Sequence, residues 1–531
     1  ALIEGYVIDA DTGEPLANVE VVFVGTNGIP SYRTDTDERG HYSIEFYAHK
    51  YSDTGLYHGY CLSVGGVYRR AFFPKPGDKI SHNVTLKVTE YTVESEYRIV
   101  AKHPTGYPIW LADLDKEEKY IVLASGHHTI PIEERDPEKH GLYFFDTNGT
   151  LLWRYPTKAQ IWGLDISDDG KYVAAALMEP YGKVLLFDNK GNILWDTDEL
   201  GYDEKFQPWG YGGLESREVK ISHNSEYVAV GSTPGLLMLL RLSSGEVLWE
   251  RFLNGQIRGI VFTEDDKIMY VSSGDGYVYK MSVETGEVLG RAYVEAWTPR
   301  YSLTLSEDER YLVTTSKIGR ICLVDAVEMK PIWSFDARGG GHWTLITSDN
   351  RLILAGSGGS YGLIAFNYSG DVLWFMPYIS SARAFIANKT LFLAANRVFD
   401  FNGRILYEFK ELPTEIEFIH VTKDESKIIV VDWKGTLYIL EGKLKIGRGV
   451  PEEKPQKIPS PLINLDEVPR VERVYEEALK GRFGGGGLES VDFRAMAELG
   501  VTWKRIGVDV TDLDFKMLDN HVMACQKAGM I

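Results

Sequence analysis

The sequence predicts a mainly β protein: an N-terminal antiparallel β-sandwich, an eight-bladed β-propeller (seven blades is the alternative count), and a short C-terminal α/β segment. Three observations lead there. A strand-rich pattern ending in an aromatic-anchored hairpin recurs about every 40 residues through the middle of the chain, the period of a four-stranded propeller blade. The first ninety residues alternate apolar and polar between breaker-rich turns. The last sixty change to helical spacing. Composition agrees: aromatic residues make up 12% and glycines 53 of 531 positions, which suits strands joined by tight turns.

Residues 1–92 form the first unit. Gly5 to Asp9 reads as a strand, Asp11 to Pro15 as a turn, and Val19, Val21 and Phe23 as alternating core positions. A second turn at Thr36 to Gly40 precedes Tyr42, Ile44 and Phe46, and further strands fit at 58–64, 67–73 and 82–88. Short strands at this spacing imply a small sandwich. The stretch from Gly5 to Val21, with Thr36 to Ile44, resembles the carboxypeptidase-regulatory-like, prealbumin-type sandwich. That resemblance implies a spacer or binding module common in exported proteins. His41, His49, His58 and His82 fit no metal-ligand spacing and read as surface or strand-edge imidazoles.

Residues 93–447 carry the repeat. Its clearest copies run from Leu142 through Asp146 and Gly149 to Trp153, and from Val184 through Asp188 and Gly191 to Trp195. Weaker copies end at Trp249, Gly290, Trp333, Trp374, Tyr407 and Ile446, which makes eight; the seventh is short. A lone blade exposes both sheet faces, and closing a ring buries them. The arrangement is similar to the quinoprotein-like (PQQ/WD-type) propellers. Trp153, Trp195, Trp249, Trp333 and Trp374 share one position of the outer strand and are expected to wedge neighbouring blades together. The quinone-dependent dehydrogenases of that fold imply adjacent cysteines and a calcium site. Cys61, Cys322 and Cys525 are far apart and no calcium cluster is recognisable, so no cofactor and no metal are expected.

Residues 448–470 are rich in proline and charge and read as a semi-stiff linker. In residues 471–531, Ser490 caps a helix ending at Gly500, 501–510 is a buried strand, and Asp512 caps a helix with Phe515, Leu518, Val522 and Cys525 on one face. Ala497 to Ile506, Leu518 to Val522 and Ala528 to Ile531 resemble the start of a (β/α)8-barrel glycoside hydrolase. The resemblance implies two catalytic carboxylates on later strands, beyond the second strand at which this sequence stops. No catalytic residue is therefore assigned, and 471–531 reads as an incomplete barrel start.

The net charge of −19 disfavours nucleic acid and anionic lipid, and no apolar run is long enough for a membrane span. Asn83, Asn148, Asn367 and Asn388 begin glycosylation sequons, in keeping with an extracellular or cell-surface location. Two long insertions, 125–140 and 198–213, fall on the propeller face shared by the loops between second and third strands and between blades. Tyr202, Trp209 and Tyr211 in the second suit sugar stacking. In the first, His127, His128 and His140 with Glu133 and Glu134 lack a zinc-site spacing and read as solvated. Aligning inner strands on their turn residues Ser167, Ser222, Thr263, Ser306 and Thr347 brings Trp162, Arg217, Arg258, Tyr301 and His342 to one level of the channel mouth, where the arginines suit a carboxylate or sulfate.

The expectation is an exported modular protein whose sandwich and propeller bind a polysaccharide or cell-surface protein, with self-association among the outcomes. It would stand N-terminal to a glycoside-hydrolase-like barrel. The alternatives are a non-catalytic interaction protein of the cell surface, and an enzyme using the propeller's central funnel.

Overall fold

The computed structural model describes residues 1–447 apart from 26–28, 51–56, 87–92, 127–129, 179–182, 198–215, 234, 296–301, 338–339, 348–351, 358–361, 377–383 and 387–390. The linker and the barrel-like segment expected over 448–531 lie outside the described residues. Nearly every described element is a strand; the exception is one turn of 3-10 helix, Ile132–Glu134.

The middle of the chain is a β-propeller. Among the described residues, eight four-stranded antiparallel arrays follow one another, and we number them in chain order. The first runs Ile109–Leu114, Tyr120–Ser125, Gly141–Asp146, Leu151–Pro156 from inside out. The first strand of each sheet lies innermost. Inner strands touch from sheet 1 through sheet 6 and between sheets 7 and 8, sheets 6 and 7 share one apolar core, and Ile109–Leu114 of sheet 1 also meets Ile416–Val421 of sheet 8, so the series closes on itself.

Closure differs from the expectation. The eighth repeat copy was expected to end in its own outer strand at Ile446. Instead the outer strand of sheet 8 is Arg98–Pro104, from ahead of sheet 1, paired antiparallel with Thr436–Glu441. Leu444–Ile446 turns away at Gly442 and pairs with Val93–Ser95. A Cβ on Gly442 would lie 2.5 Å from Tyr97 backbone atoms, so only glycine lets the chain leave here. Drawing one sheet from both ends of the repeat covers the outer edge of Thr436–Glu441 and ties the ring's two ends together.

The repeated tryptophans wedge the sheets as expected, and their seat is the repeat's own turn. The indole Nε1 of each donates to a carbonyl in the turn between third and fourth strands of the next sheet. Trp153 reaches Asn189 O at 3.1 Å, Trp195 Leu242 O at 2.7 Å, and Trp249 Val283 O at 2.7 Å. Trp333 reaches Tyr368 O at 3.1 Å and Trp374 Phe401 O at 2.8 Å. The turn glycine clears room for the ring: a Cβ on Gly403 would sit 2.6 Å from Trp374, and its φ is +85°. The turn's Asp or Asn ties it down, as where Asp188 Oδ1 accepts from the amides of Lys190 and Asn192. In the closing strand Ala101 occupies the tryptophan position, against Gly149 of sheet 1. There Lys427 Nζ takes the turn carbonyl, Thr147 O, at 3.3 Å.

The N-terminal residues form two sheets around one core. Leu2–Asp9 pairs with His41–Glu45, Lys79–Ser81 and Val84–Leu86; the second sheet holds Tyr32–Asp35, Glu20–Gly25, Tyr60–Val64 and Val67–Phe72. Ile3, Val7, Phe23, Tyr42, Tyr60 and Leu62 are buried between them, with the rings of Phe23 and Tyr60 stacked at 4.8 Å. The sequence reading gives this unit as a separate domain, a spacer or binding module. In the structure its second sheet continues into sheet 6: Tyr68 pairs with Phe375 on the outer strand Val372–Met376, making eight strands in a row. Cys61 and Ala71 join Val313, Trp333 and Phe375 in one apolar core, and Arg69 donates to Leu373 O at 3.4 Å. Burial lowers the Arg69 guanidinium to about 10, with Asp400 opposing that shift.

Candidate functional site: the bulged mouth of the propeller

Inner strands start at the face carrying the 125–140 loop, and near that start most of them are irregular. The pairing register slips between Ile109 and Leu111, Ile161 and Gly163, Ser216 and Glu218, Ile257 and Gly259, Gly341 and Trp343, and Ile416 and Phe418. Each slip is a β-bulge with one extra residue. These are Trp110, Trp162, Arg217, Arg258, His342 and Glu417, on sheets 1, 2, 3, 4, 6 and 8. A bulge breaks the alternation and re-aims one side chain, so the repeated bulge sets the described side chains of Trp110, Trp162, Arg258 and Glu417 at one level.

The alignment that singled out Trp162, Arg217, Arg258 and His342 therefore found the bulge residues. Only the positions of Arg217 and His342 in their strands are described. Tyr301, with Tyr202, Trp209 and Tyr211 of the second insertion, lies outside the described residues. Sequence reasoning missed Trp110 because it aligned on Ser or Thr. In sheet 1 Asp115 does that job, its Oδ1 accepting from the amides of Lys119 at 2.9 Å and Tyr120 at 2.6 Å. Trp110 stands five places before it, as Glu417 stands five before Thr422.

Three indoles meet here. Trp433 follows the second strand of sheet 8 on the same face, and its ring lies 5.0 Å from that of Trp110, which lies 6.3 Å from that of Trp162. All three are half-buried, forming an aromatic wall across sheets 8, 1 and 2. Across the ring Arg258 is half-buried, and its Nε donates to Gln256 Oε1 at 3.0 Å. Further along the wall, Lys220 pairs with Asp165, whose other oxygen accepts from the Ile221 amide at 2.7 Å. Burial pushes the Asp165 carboxyl up against the pull of that ammonium.

The opposite mouth is tied across. Lys116 of sheet 1 reaches Glu264 of sheet 4 at 2.6 Å and Asp168 of sheet 2 at 3.4 Å. His223 Nδ1 lies 2.9 Å from Asp168, and that hydrogen bond raises the His223 pKa. Glu118 accepts from the Lys423 amide and lies 2.7 Å from His420 Nε2. Burial lowers the His420 pKa, with Glu118 opposing.

The insertion histidine that can be seen contradicts the expectation of a solvated side chain. His140 is fully buried, with Nδ1 2.7 Å from Thr157 O. Burial, reinforced by Arg135, lowers its pKa to about 4. Arg135 is buried too and donates to Ile130 O and Lys158 O, so the pair braces the loop from within. Glu133 and Glu134 are exposed, and His127 and His128 lie outside the described residues. Among the described residues no group of three or more His, Cys, Asp or Glu is gathered as for a metal.

Asn83 and Asn148 are exposed, while Asn367 is half-buried in the turn that seats Trp333; Asn388 is outside the described residues. Cys61 and Cys322 are buried thiols pushed up to about 12. No helix among the described residues is long and apolar enough to cross a membrane.

Residues 180–306 match the PQQ-type family described as outer membrane protein assembly factor BamB. With the sheet order, this match supports a PQQ-type β-propeller. Among solved structures, BamB from Moraxella catarrhalis is similar at 15% identity and a TM-score of 0.48, over 65% of this chain and 97% of that one. Short stretches are similar to the U3 small nucleolar RNA-associated protein 18 homologs. The Homo sapiens protein is 28% identical over 103 residues, 19% of this chain and 18% of its own length. The Arabidopsis thaliana protein is 31% identical over 101 residues, 18% of each. The chain thus spans about a fifth of the length of these curated relatives.

Proposed function

We propose that this chain is a binding and scaffolding module of an exported, modular protein. In this reading residues 1–92 are a prealbumin-like sandwich and 93–447 an eight-bladed ring. The bulged mouth takes up a surface polysaccharide, and 471–531 begins a glycoside-hydrolase-like barrel. The observation that carries it is the ring of bulge residues with its three-indole wall. Indole faces stack on the apolar faces of pyranose rings, and half-buried rings lose little side-chain freedom on binding. The BamB match favours a second reading, in which the partner is a cell-surface protein and the propeller serves as a docking platform.

The test is affinity electrophoresis of the protein through gels cast with neutral and acidic polysaccharides, beside the Trp110→Ala and Trp433→Ala variants. Retardation by at least one polysaccharide, lost in both variants while their melting curves stay cooperative, supports the sugar reading. Free migration through every gel, or retardation indifferent to both substitutions, overturns it and leaves the protein-docking reading.

A further inference from the structure

We infer that the outer edge of sheet 4, strand Val288–Tyr293, is a self-docking surface on which a second copy of this chain adds its own sheet 4, joining two four-stranded sheets into one of eight. The inference stands apart from the sugar reading above. Edge strands are usually protected by charge, by proline, by shortness or by a cover. The other outer strands show these devices. Val247–Phe252 of sheet 3 carries Glu250 and Arg251, and Lys330–Asp336 of sheet 5 carries Pro331 between charged ends. Leu151–Pro156 of sheet 1 ends in proline, and its Arg154 donates to Pro137 O and Glu138 of the insertion. Ile193–Asp196 and Ile405–Glu408, of sheets 2 and 7, are four residues long. Sheet 6 is covered by Val67–Phe72, and the closing strand of sheet 8 holds Lys102 and Pro104.

Val288–Tyr293 has none of these devices. It is six residues long, without proline, lysine or an acidic residue, and no described strand pairs with its outer side. Val288 and Leu289 are 43% and 50% exposed. Its one charge, Arg291, lies 4.3 Å over the ring of Tyr277 on the neighbouring strand, turned back onto its own sheet. The molecule itself shows what such an edge accepts. On sheet 6 the outer strand meets the edge of another four-stranded sheet, Tyr68 pairing antiparallel with Phe375, and Leu373 gives its carbonyl to Arg69. Leu373 is the bulge residue of that strand, as Leu289 is of Val288–Tyr293. The two edges therefore share one geometry, and Leu289 is exposed where Leu373 is half-buried. A second copy brings an identical edge. Antiparallel pairing of a strand with its twin is two-fold, so the contact closes at two chains and does not grow into a fibre. In a chain of net charge −19, this strand has no acidic side chain to repel its twin.

The experiment is sedimentation velocity of the full chain over a dilution series, for the parent, Leu289→Lys and Leu152→Lys, with hydrogen exchange of the parent at the two ends of the series. The parent is expected to pass from dimer to monomer on dilution. Leu289→Lys enters a two-fold contact twice and weakens the dimer about tenfold or more. Leu152, the bulge residue of sheet 1, is 45% exposed, and Leu152→Lys is expected to leave the dimer unmoved. Both changes replace exposed side chains, and circular-dichroism melts separate lost association from lost folding. Exchange of the Val288–Ala292 amides is expected to slow as concentration rises. A parent that sediments as a monomer throughout, or a dimer indifferent to Leu289→Lys or equally weakened by Leu152→Lys, overturns the proposal. So does exchange at Val288–Ala292 that is slow at every concentration, since the edge is then covered within one chain.

Discussion

Trp374→Ala is the sharpest probe of how the ring is held. Trp374 is 1% exposed, stacks on Phe392 at 5.5 Å with planes 9° apart, and donates to Phe401 O at 2.8 Å. Removing a buried indole costs about 3–5 kcal/mol through lost burial and the cavity left behind. The stranded Phe401 carbonyl adds about 1 kcal/mol. The expected loss of about 4–6 kcal/mol corresponds to a fall in melting midpoint on the order of 10 °C. Trp374→Phe keeps the stacking and loses the hydrogen bond, so it costs roughly a third as much. Trp153 is only half-buried, though it makes the same type of bond, and Trp153→Ala is expected to cost about half of Trp374→Ala. Gly403→Ala is destabilising alone, because its Cβ meets the ring; in the Trp374→Ala background it costs less, and a double-mutant cycle reads the coupling. Calorimetric scans and denaturant titrations measure all five variants. A Trp374→Ala protein within 1 kcal/mol of the parent (about a fivefold change in folding equilibrium), or strictly additive Trp374 and Gly403 effects, refutes the turn-docking account.

Ala101→Trp is expected to raise stability by about 1–2 kcal/mol in a Lys427→Ala background and by less in the parent, where Lys427 already occupies the Thr147 carbonyl; melting midpoints of the four proteins decide it. The hydrogen bond to Asp168 raises the His223 pKa above its ordinary 6.5, so protonated His223 stabilises the fold below that value. That contribution fades as pH rises through the raised pKa. His223→Gln should remove this alkaline loss, whereas His420 and His140, with lowered pKa values, weaken the fold as pH falls; stability measured from pH 4.5 to 8.5 checks both signs. Arg69→Glu should loosen the junction with sheet 6, seen as faster hydrogen exchange of the Val372–Met376 amides with the core of sheet 2 unchanged.

Much of this architecture could be read from residue order because the repeat advertises its own packing. Asp188, Gly191 and Trp153 recur as a set, since each indole needs the next sheet's turn. The closing strand was hidden for the same reason. Arg98–Pro104 has Ala101 where the others have tryptophan, and it precedes the first copy, so nothing local ties it to Thr436–Glu441. The bulges were equally silent, because strict two-residue alternation assigns sides only to regular strands. Trp162 and Arg258 were found through turn alignment, while Trp110 escaped because an aspartate replaces the turn hydroxyl. His140 was misread as solvated because a polar loop sequence does not reveal which of its members folds inward. The union of the N-terminal sheet with sheet 6 rests on the Tyr68–Phe375 pairing, the Arg69–Leu373 hydrogen bond and shared apolar burial, none of which leaves a local pattern.

The borrowed outer strand sets an order for synthesis on the ribosome. Thr105 Oγ1, just past that strand, bonds to Gly435 O, a partner translated 330 residues later, and Arg69 waits 304 residues for Leu373. At ~5–20 residues per second, the earliest segments emerge tens of seconds before their neighbours exist. Until then the edges of Arg98–Pro104 and Val67–Phe72 that these partners cover are open. Nascent chains of this protein should thus need a shielding factor early in elongation, and circular permutants that begin between two sheets should fold with less help.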